Sequence, residues 1–272
     1  MPPSRHPRRH RVEGHRSSLA GLEAMTIASD HHFPRHSHDG FGIGVLSFGA
    51  QRSWSGIGAV EAGPGDVIMV NPGEIHDGMP FDGGVRGWRM LYLDPALMAA
   101  ELADETAAEI EIVRPVARDP RLAGAFHHAF ARLTEPGAEP LAREEALVGT
   151  LAHLLRRHIV KPPRGPEPSP GVARARKRLD EAPELPASLA ELAALSGTTR
   201  FGLLRGFVRE VGITPHAYLV QARVRLARRL IARGLPPAEA ALASGFCDQS
   251  HLTRAFVRQF GITPGRYRAA LG

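Results

Sequence analysis

Val211-Gly212-Ile213-Thr214-Pro215-His216-Ala217-Tyr218 returns 49 residues later as Phe260-Gly261-Ile262-Thr263-Pro264-Gly265-Arg266-Tyr267. Upstream of each copy, Leu203, Arg205 and Phe207 recur as Leu252, Arg254 and Phe256. Of these eleven compared positions eight are identical; the others exchange Val211 for Phe260, His216 for Gly265 and Ala217 for Arg266. Self-similarity at a fixed offset marks a duplicated structural unit. A small helical unit that appears twice, each time with an Arg among apolar positions, suits a ligand that itself repeats. Duplex DNA is such an object.

Working outward, the whole segment after residue 171 reads as helical, with expected helices at 172–181, 188–195, 199–210, 215–233, 237–244, 248–259 and 264–270. The boundaries are written in caps. Ser188 and Glu191 have capping-box spacing, Gly197 follows one helix, and Thr199 and Asp248 stand where they cap the next in each copy. Pro215 and Pro264 fall in first turns, where a missing N–H costs nothing.

Each copy then reads as helix, glycine turn, helix, the spacing of a helix-turn-helix. Leu203 and Phe207 share an inward face, as do Leu252 and Phe256. The outward positions are Phe201, Leu204 and Arg205 in the first unit, and Gln249, Ser250, Thr253 and Arg254 in the second. Arg suits guanine O6/N7, Gln suits adenine, and Thr offers a methyl and a hydroxyl. Base reading is expected chiefly of the second, more polar helix. The connecting helix from Pro215 to Arg233 should span about 28 Å, against about 34 Å for one DNA turn. Leu219, Val220, Val224, Ala227, Leu230 and Ile231 form its apolar face. Arg225, Arg228, Arg229 and Arg233 read as mostly solvated, with some touching phosphates.

Charge divides the same way. Residues 172–272 hold 16 Lys/Arg against 7 Asp/Glu, whereas residues 19–171 carry a net −7. A basic half beside an acidic one points to a polyanion at one of them only. A lone cysteine, Cys247, excludes a disulfide framework and suits a reducing, cytoplasmic setting. No apolar run is long enough to span a membrane.

Residues 161–171 hold five prolines and two glycines and read as an extended linker. The domain organisation expected is therefore a disordered basic tail (1–24), a first domain (25–160), the linker (161–171) and a second domain (172–272). Met25 is a conceivable alternative start. Within 25–94, short apolar stretches such as Phe41–Phe48 and Val67–Val70 alternate with Pro/Gly/Asp turns, which predicts a small all-β barrel or jelly roll. Trailing helices are expected at 95–111, 119–134 and 141–160. The stripe Leu147, Leu151, Leu154, Leu155, Ile159 in the last suits packing on the barrel or a dimer seam equally well.

Residues 172–271, above all Gly245–Phe256 and Phe260–Arg268, resemble the AraC/XylS class of bacterial transcription regulators. The resemblance implies a double helix-turn-helix bound to promoter DNA, with Phe201, Leu204, Arg205, Gln249, Ser250, Thr253 and Arg254 at base-contacting positions. Gly202 and Gly206 depart from it, because each lowers helix propensity by up to about 1 kcal/mol. In the first domain, His36-Ser37-His38, Gly65-Asp66 and Pro72-Gly73-Glu74-Ile75-His76 resemble the paired motifs of cupins, a common sensor fold of that class. The resemblance implies a small-molecule effector in the barrel, and His36, His38, Trp54, His76, Trp88 and Tyr92 are its candidate contacts.

His36, His38 and His76 also match three of a cupin's metal ligands. The usual carboxylate is missing, so no cofactor is the primary expectation. His31 and His32 suit solvent equally. The reading is a DNA-binding regulator, not an enzyme, with RNA polymerase and a second copy of the chain as further partners. The alternatives are a cupin metalloenzyme fused to a DNA-binding domain, and a ligand-independent regulator whose barrel only dimerises.

Overall fold

The computed structural model describes residues 10–17, 19–102, 110–160 and 169–271, which fall into two compact units. The segments 1–9 and 161–168, and with them part of the expected tail and most of the expected linker, lie outside the described residues.

The first unit is β-rich. Its strands are β1 (His10–His15), β2 (Leu22–Ser29), β3 (Phe33–His36), β4 (Phe41–Phe48), β5 (Gln51–Ser55), β6 (Gly58–Ala62), β7 (Val67–Val70), β8 (His76–Pro80) and β9 (Arg86–Leu93). After helix α1 (Pro95–Glu101) come β10 (Glu111–Ile112), β11 (Val116–Ala117), α2 (Pro120–Thr134), α3 (Pro140–His158) and β12 (Ile159–Val160). One antiparallel sheet runs β1-β2-β9-β4-β7-β11 and another β3-β8-β5-β6.

Period-two alternation assigns the faces. Arg86, Trp88, Met90 and Tyr92 of β9 point between the sheets, where Phe33 and Ala62 of the small sheet meet Ile27, Leu46 and Ile68 of the large one. Leu91 and Leu93 point the other way, into a larger core with Leu22, Ile43, Val45 and Met69. α2 and α3 close that core with Leu122, Phe126, Leu147, Leu151 and Leu154. Truncating the fully buried Phe126 to Ala should cost about 3–5 kcal/mol.

Several expectations are corrected. Residues 10–24 are not a loose tail: β1 pairs along its length with β2, and Met25 lies mid-strand. The histidines that made this stretch look merely basic hold it in place. His10 Nδ1 meets Ser29 Oγ at 2.6 Å and His15 Nε2 meets Thr26 Oγ1 at 2.8 Å. The helix expected at 95–111 ends at Glu101, and Glu111–Ile112 instead pairs with Ile159–Val160. Asn71 clamps that strand by accepting the Ile112 N–H (2.7 Å) and donating to the Ile112 carbonyl (2.9 Å). Of the expected α3 stripe, Leu147, Leu151 and Leu154 are at most 2% exposed, and Leu155 and Ile159 pack partly buried against the same core. The stripe therefore packs on the barrel and leaves no open seam.

Asp119 joins α2 to α3. It caps α2 by accepting the Arg121 and Leu122 N–H groups and takes hydrogen bonds from His158 (3.0 Å) and His153 (3.2 Å) on α3. Burial alone would raise its pKa, but these donors outweigh burial and hold the carboxyl well below the usual carboxylate range.

The second unit is helical: α4 (Pro170–Glu181), α5 (Leu189–Ser196), α6 (Arg200–Val211), α7 (Pro215–Ala232), α8 (Pro237–Ala243), α9 (Gln249–Phe260) and α10 (Pro264–Leu271). α4 begins inside the stretch read as linker. Pro170 is tolerated in its first turn, and the Ser169 N–H and O–H donate to Glu210 of α6. The repeated Gly-Ile-Thr-Pro is a stop followed by a start. Gly212 and Gly261 end α6 and α9 at φ of 85° and 73°, a left-handed conformation that costs only glycine little. Thr214 then caps α7 by accepting from Ala217 N.

Candidate nucleic-acid interface and effector site

α5 and α6 form the first helix-turn-helix. Ser188 and Glu191 make the reciprocal capping box, Gly197 closes α5 in the left-handed conformation, and Thr199 caps α6 by accepting the Gly202 N–H. α8 and α9 form the second, with Asp248 accepting the His251 N–H at 2.7 Å. That hydrogen bond, helped by Cys247, holds the Asp248 carboxyl below its ordinary range. The two turns differ by one residue. Ser196-Gly197 matches Ser244-Gly245 at an offset of 48, before Leu203 matches Leu252 at 49. The longer turn seats Phe246, which is buried and packs edge-on against His251.

Helical period sorts both second helices as expected. Leu203 and Phe207 are buried on α6, and Leu252 and Phe256 on α9. Phe201, Arg205, Gln249, Ser250 and Arg254 are exposed, while Leu204 and Thr253 are half-buried. Phe201 is 67% exposed, and the Arg205 guanidinium lies 5.5 Å from its ring centre. The outer face of α6 is thus a flat aromatic capped by a cation, whereas α9 offers an amide, two hydroxyls and an arginine. Gly206 is buried, and a methyl there would meet Val172 of α4 at 3.3 Å. Close helix packing accounts for a residue that propensity alone disfavours.

α7 packs on α4 and on α8 and α9, joining the two helix-turn-helix pairs of the helical unit as a rod of about 27 Å. Arg229 and Arg233 are exposed as expected, but Arg225 and Arg228 correct the expectation of a solvated face. Arg225 is only 8% exposed and pairs with Asp180 at 3.3 Å. The Tyr218 hydroxyl donates to the same carboxylate at 2.8 Å and accepts from Arg176 at 3.1 Å. Arg228 donates to the Tyr267 hydroxyl and lies over the Phe260 ring. Arg174 and Arg223 donate to the backbone carbonyls of Leu195 and Pro183. A good part of the positive charge therefore holds the fold together.

Between the sheets of the first unit the predicted aromatic residues form one connected array. Trp88 meets Phe33 edge-on, Phe33 meets His36, and His36 is a cross-strand partner of His76. Ring centres are 4.4 Å apart for His36–His76, 4.9 Å for His36–His38 and 5.1 Å for His38–His76. Tyr92 lies 4.9 Å from His38. Burial first, and the neighbouring His76 second, push the His36 pKa down to about 3 against the pull of the Pro34 carbonyl. Burial likewise lowers His76. Burial therefore favours the neutral form of both the His36 and the His76 rings. Gly42 supplies room beside them, since a methyl there would meet Val70, Met90 and Tyr92 at 2.7–3.2 Å.

Trp54 does not join this array. In β5 the Gln51 side chain bonds inward to Ser53 and Arg86, so Trp54 takes the opposite face, stacked 3.8 Å under Arg35. Of the two open histidines, His32 is exposed and His31 packs against Phe33.

A family model described as an AraC-like ligand binding domain matches residues 19–151, and one described as a helix-turn-helix domain matches residues 192–270. The chain belongs to the AraC-type transcriptional regulators. This AraC-type regulator is 29% identical over 224 residues to a Bacillus subtilis (strain 168) protein described as an uncharacterized HTH-type transcriptional regulator, YbfI, covering 81% of each chain. Its fold is similar to that of ToxT from Vibrio cholerae O395, with a TM-score of 0.60 at 9% identity over 93% of this chain and 99% of that one. Unsaturated fatty acid bound ToxT from strain SCE256 gives a TM-score of 0.56 at 10% identity, covering 98% and 96%. No helix among the regulator's described residues is long and apolar enough to cross a membrane.

Sequence reasoning missed Arg86. This arginine is 1% exposed and donates to Gln51 and to the carbonyls of Ser29, His31 and Gly78, tying the small sheet to the end of β2. Burial pushes its pKa down to about 10. Its position two residues before Trp88, on the same face of β9, was the signal available.

Proposed function

We propose that this regulator reads promoter DNA mainly through α9, with Gln249, Ser250, Thr253 and Arg254 at base edges. α6 would place Phe201, Leu204 and Arg205 against a neighbouring, more apolar stretch of major groove. The observation that carries this is the pair of capped helix-turn-helix units on one rod, each presenting its non-buried residues on a single face. Selection of bound duplexes from a random library tests it. The expected result is a bipartite site with one strongly specified half.

The effector, in this reading, is a small molecule taken between the two sheets against His36, His38, His76, Trp88 and Tyr92. Its affinity differs between two states of the protein, and that difference shifts DNA binding. Thermal shift against a metabolite panel, repeated on Trp88→Ala, tests the site. We also propose that the chain performs no catalysis, works in the cytoplasm, engages RNA polymerase and acts as a homodimer. Leu141 and Val148, 65% and 42% exposed on α3 and seven residues apart, support a self-association face in place of the buried stripe. Sedimentation of Val148→Glu against the parent chain checks it.

A further inference from the structure

We propose that His36, His38 and His76 hold a divalent transition-metal ion, of the zinc, cobalt or iron class, with a coordination position left for an exchangeable ligand. The three residues each offer a ring nitrogen, and these nitrogens all lie within 4.8 Å of one another. Tetrahedral bonds of about 2.0–2.1 Å place nitrogens about 3.4 Å apart. Closing onto an ion therefore takes side-chain shifts of at most about 0.8 Å each, within reach of small χ adjustments.

The backbone has already chosen the tautomers. The Nδ1–H of His36 donates to the Pro34 carbonyl at 2.7 Å, and that of His76 to the Glu74 carbonyl at 3.0 Å. A carbonyl accepts only, so each ring keeps its proton on Nδ1 and its lone pair on Nε2. Donation of the second ring nitrogen to a carbonyl is the outer-shell arrangement of metal-bound histidine. His36 and His76 sit opposite each other on paired strands, which fixes their separation without help from a loop.

The donor set also indicates what the ion needs. Among the described residues the cluster contains no carboxylate or thiolate, so all three donors are neutral and the bound ion keeps its full charge. All-imidazole sites suit zinc, copper, nickel, cobalt and iron rather than calcium or magnesium. Three protein ligands leave an open position, as in exchangeable rather than closed structural sites. The natural fourth ligand is water or an anionic oxygen donor. This deepens the effector reading given above: the effector class becomes a small acid or chelating anion that completes the coordination sphere.

The test uses the full, tag-free chain, stripped with a chelator and titrated with cobalt(II) alone, followed by visible ligand-field absorption. About one equivalent should bind in wild type. His36→Ala and, because a buried change can disturb folding, the partly exposed His76→Gln should each weaken uptake at least about tenfold. His128→Ala, at an exposed position on α2, should leave uptake unchanged. Uptake below about a tenth of an equivalent in wild type overturns the proposal, as does unaltered uptake in a folded His76→Gln protein. No effector or DNA enters this readout, so a chain that fails to bind promoter DNA but takes up cobalt refutes only the regulator reading.

Discussion

Two arginines of the basic half should fail in opposite ways. Arg254 is exposed on the outer face of α9, whereas Arg225 is 8% exposed in α7 and paired with Asp180. A bidentate Arg–guanine contact is worth about 1–3 kcal/mol, which is roughly 5- to 150-fold in Kd. Arg254→Ala should lose that factor on the selected site, lose less on random duplex, and leave Tm unchanged. Removing one partner of a fully buried ion pair costs about 3–5 kcal/mol. The Asp180 side chain is 40% exposed and keeps its hydrogen bond from Tyr218, so Arg225→Ala should cost less, about 1–3 kcal/mol. For a unit of this size that lowers Tm by several degrees, with near-normal DNA affinity in the cold. Fluorescence anisotropy on cognate and random duplexes, beside thermal melts, measures both. Equal loss on the two duplexes for Arg254→Ala would show a phosphate contact only. Weakened binding without a melting change for Arg225→Ala would refute its structural role.

Affinity should fall with salt at a log–log slope of magnitude about 5–8, because several of the 16 basic residues are committed inside the fold; a slope near zero in a salt titration contradicts the electrostatic account. Asp119 contributes stability that is present above its unfolded pKa of about 3.9 and is lost as pH falls toward its depressed folded value. Asp119→Asn should therefore flatten the acid limb of a urea-stability profile and leave neutral-pH stability lower, while an unchanged limb counts against the His153–Asp119–His158 link. Replacing thymine by uracil opposite α6 should weaken binding of wild type more than of Phe201→Ser, since the methyl group is the partner of an exposed ring; identical effects in both proteins argue against it.

The helical unit was legible because its signals are local. Caps, glycine stops and a 3.6-residue period lie within a few positions of what they control, so Ser188, Gly197, Thr199, Asp248, Pro215 and Pro264 announced most helix ends to within one or two residues. Burial of charge was not local. Arg225 and Arg228 look like surface cations in sequence because their partners, Asp180 and Tyr267, come from other helices. In the β unit, strands were visible but their pairing was not. His10–His15 reads as a basic tail until β2 is laid beside it. Trp54 was placed inside because β5 has no apolar alternation to tell its faces apart; only contact with Arg35 decides. The three histidines were visible as motifs, yet it is the β3–β8 register that brings His36 and His76 together.

The central claim is that two units on one rod contact successive major grooves. Hydroxyl-radical and methylation-protection footprinting of the selected site tests it most directly. The account predicts two protected patches on one face of the duplex, about one helical turn apart, with the α9 patch lost in Arg254→Ala. A single patch, or two on opposite faces, would contradict it.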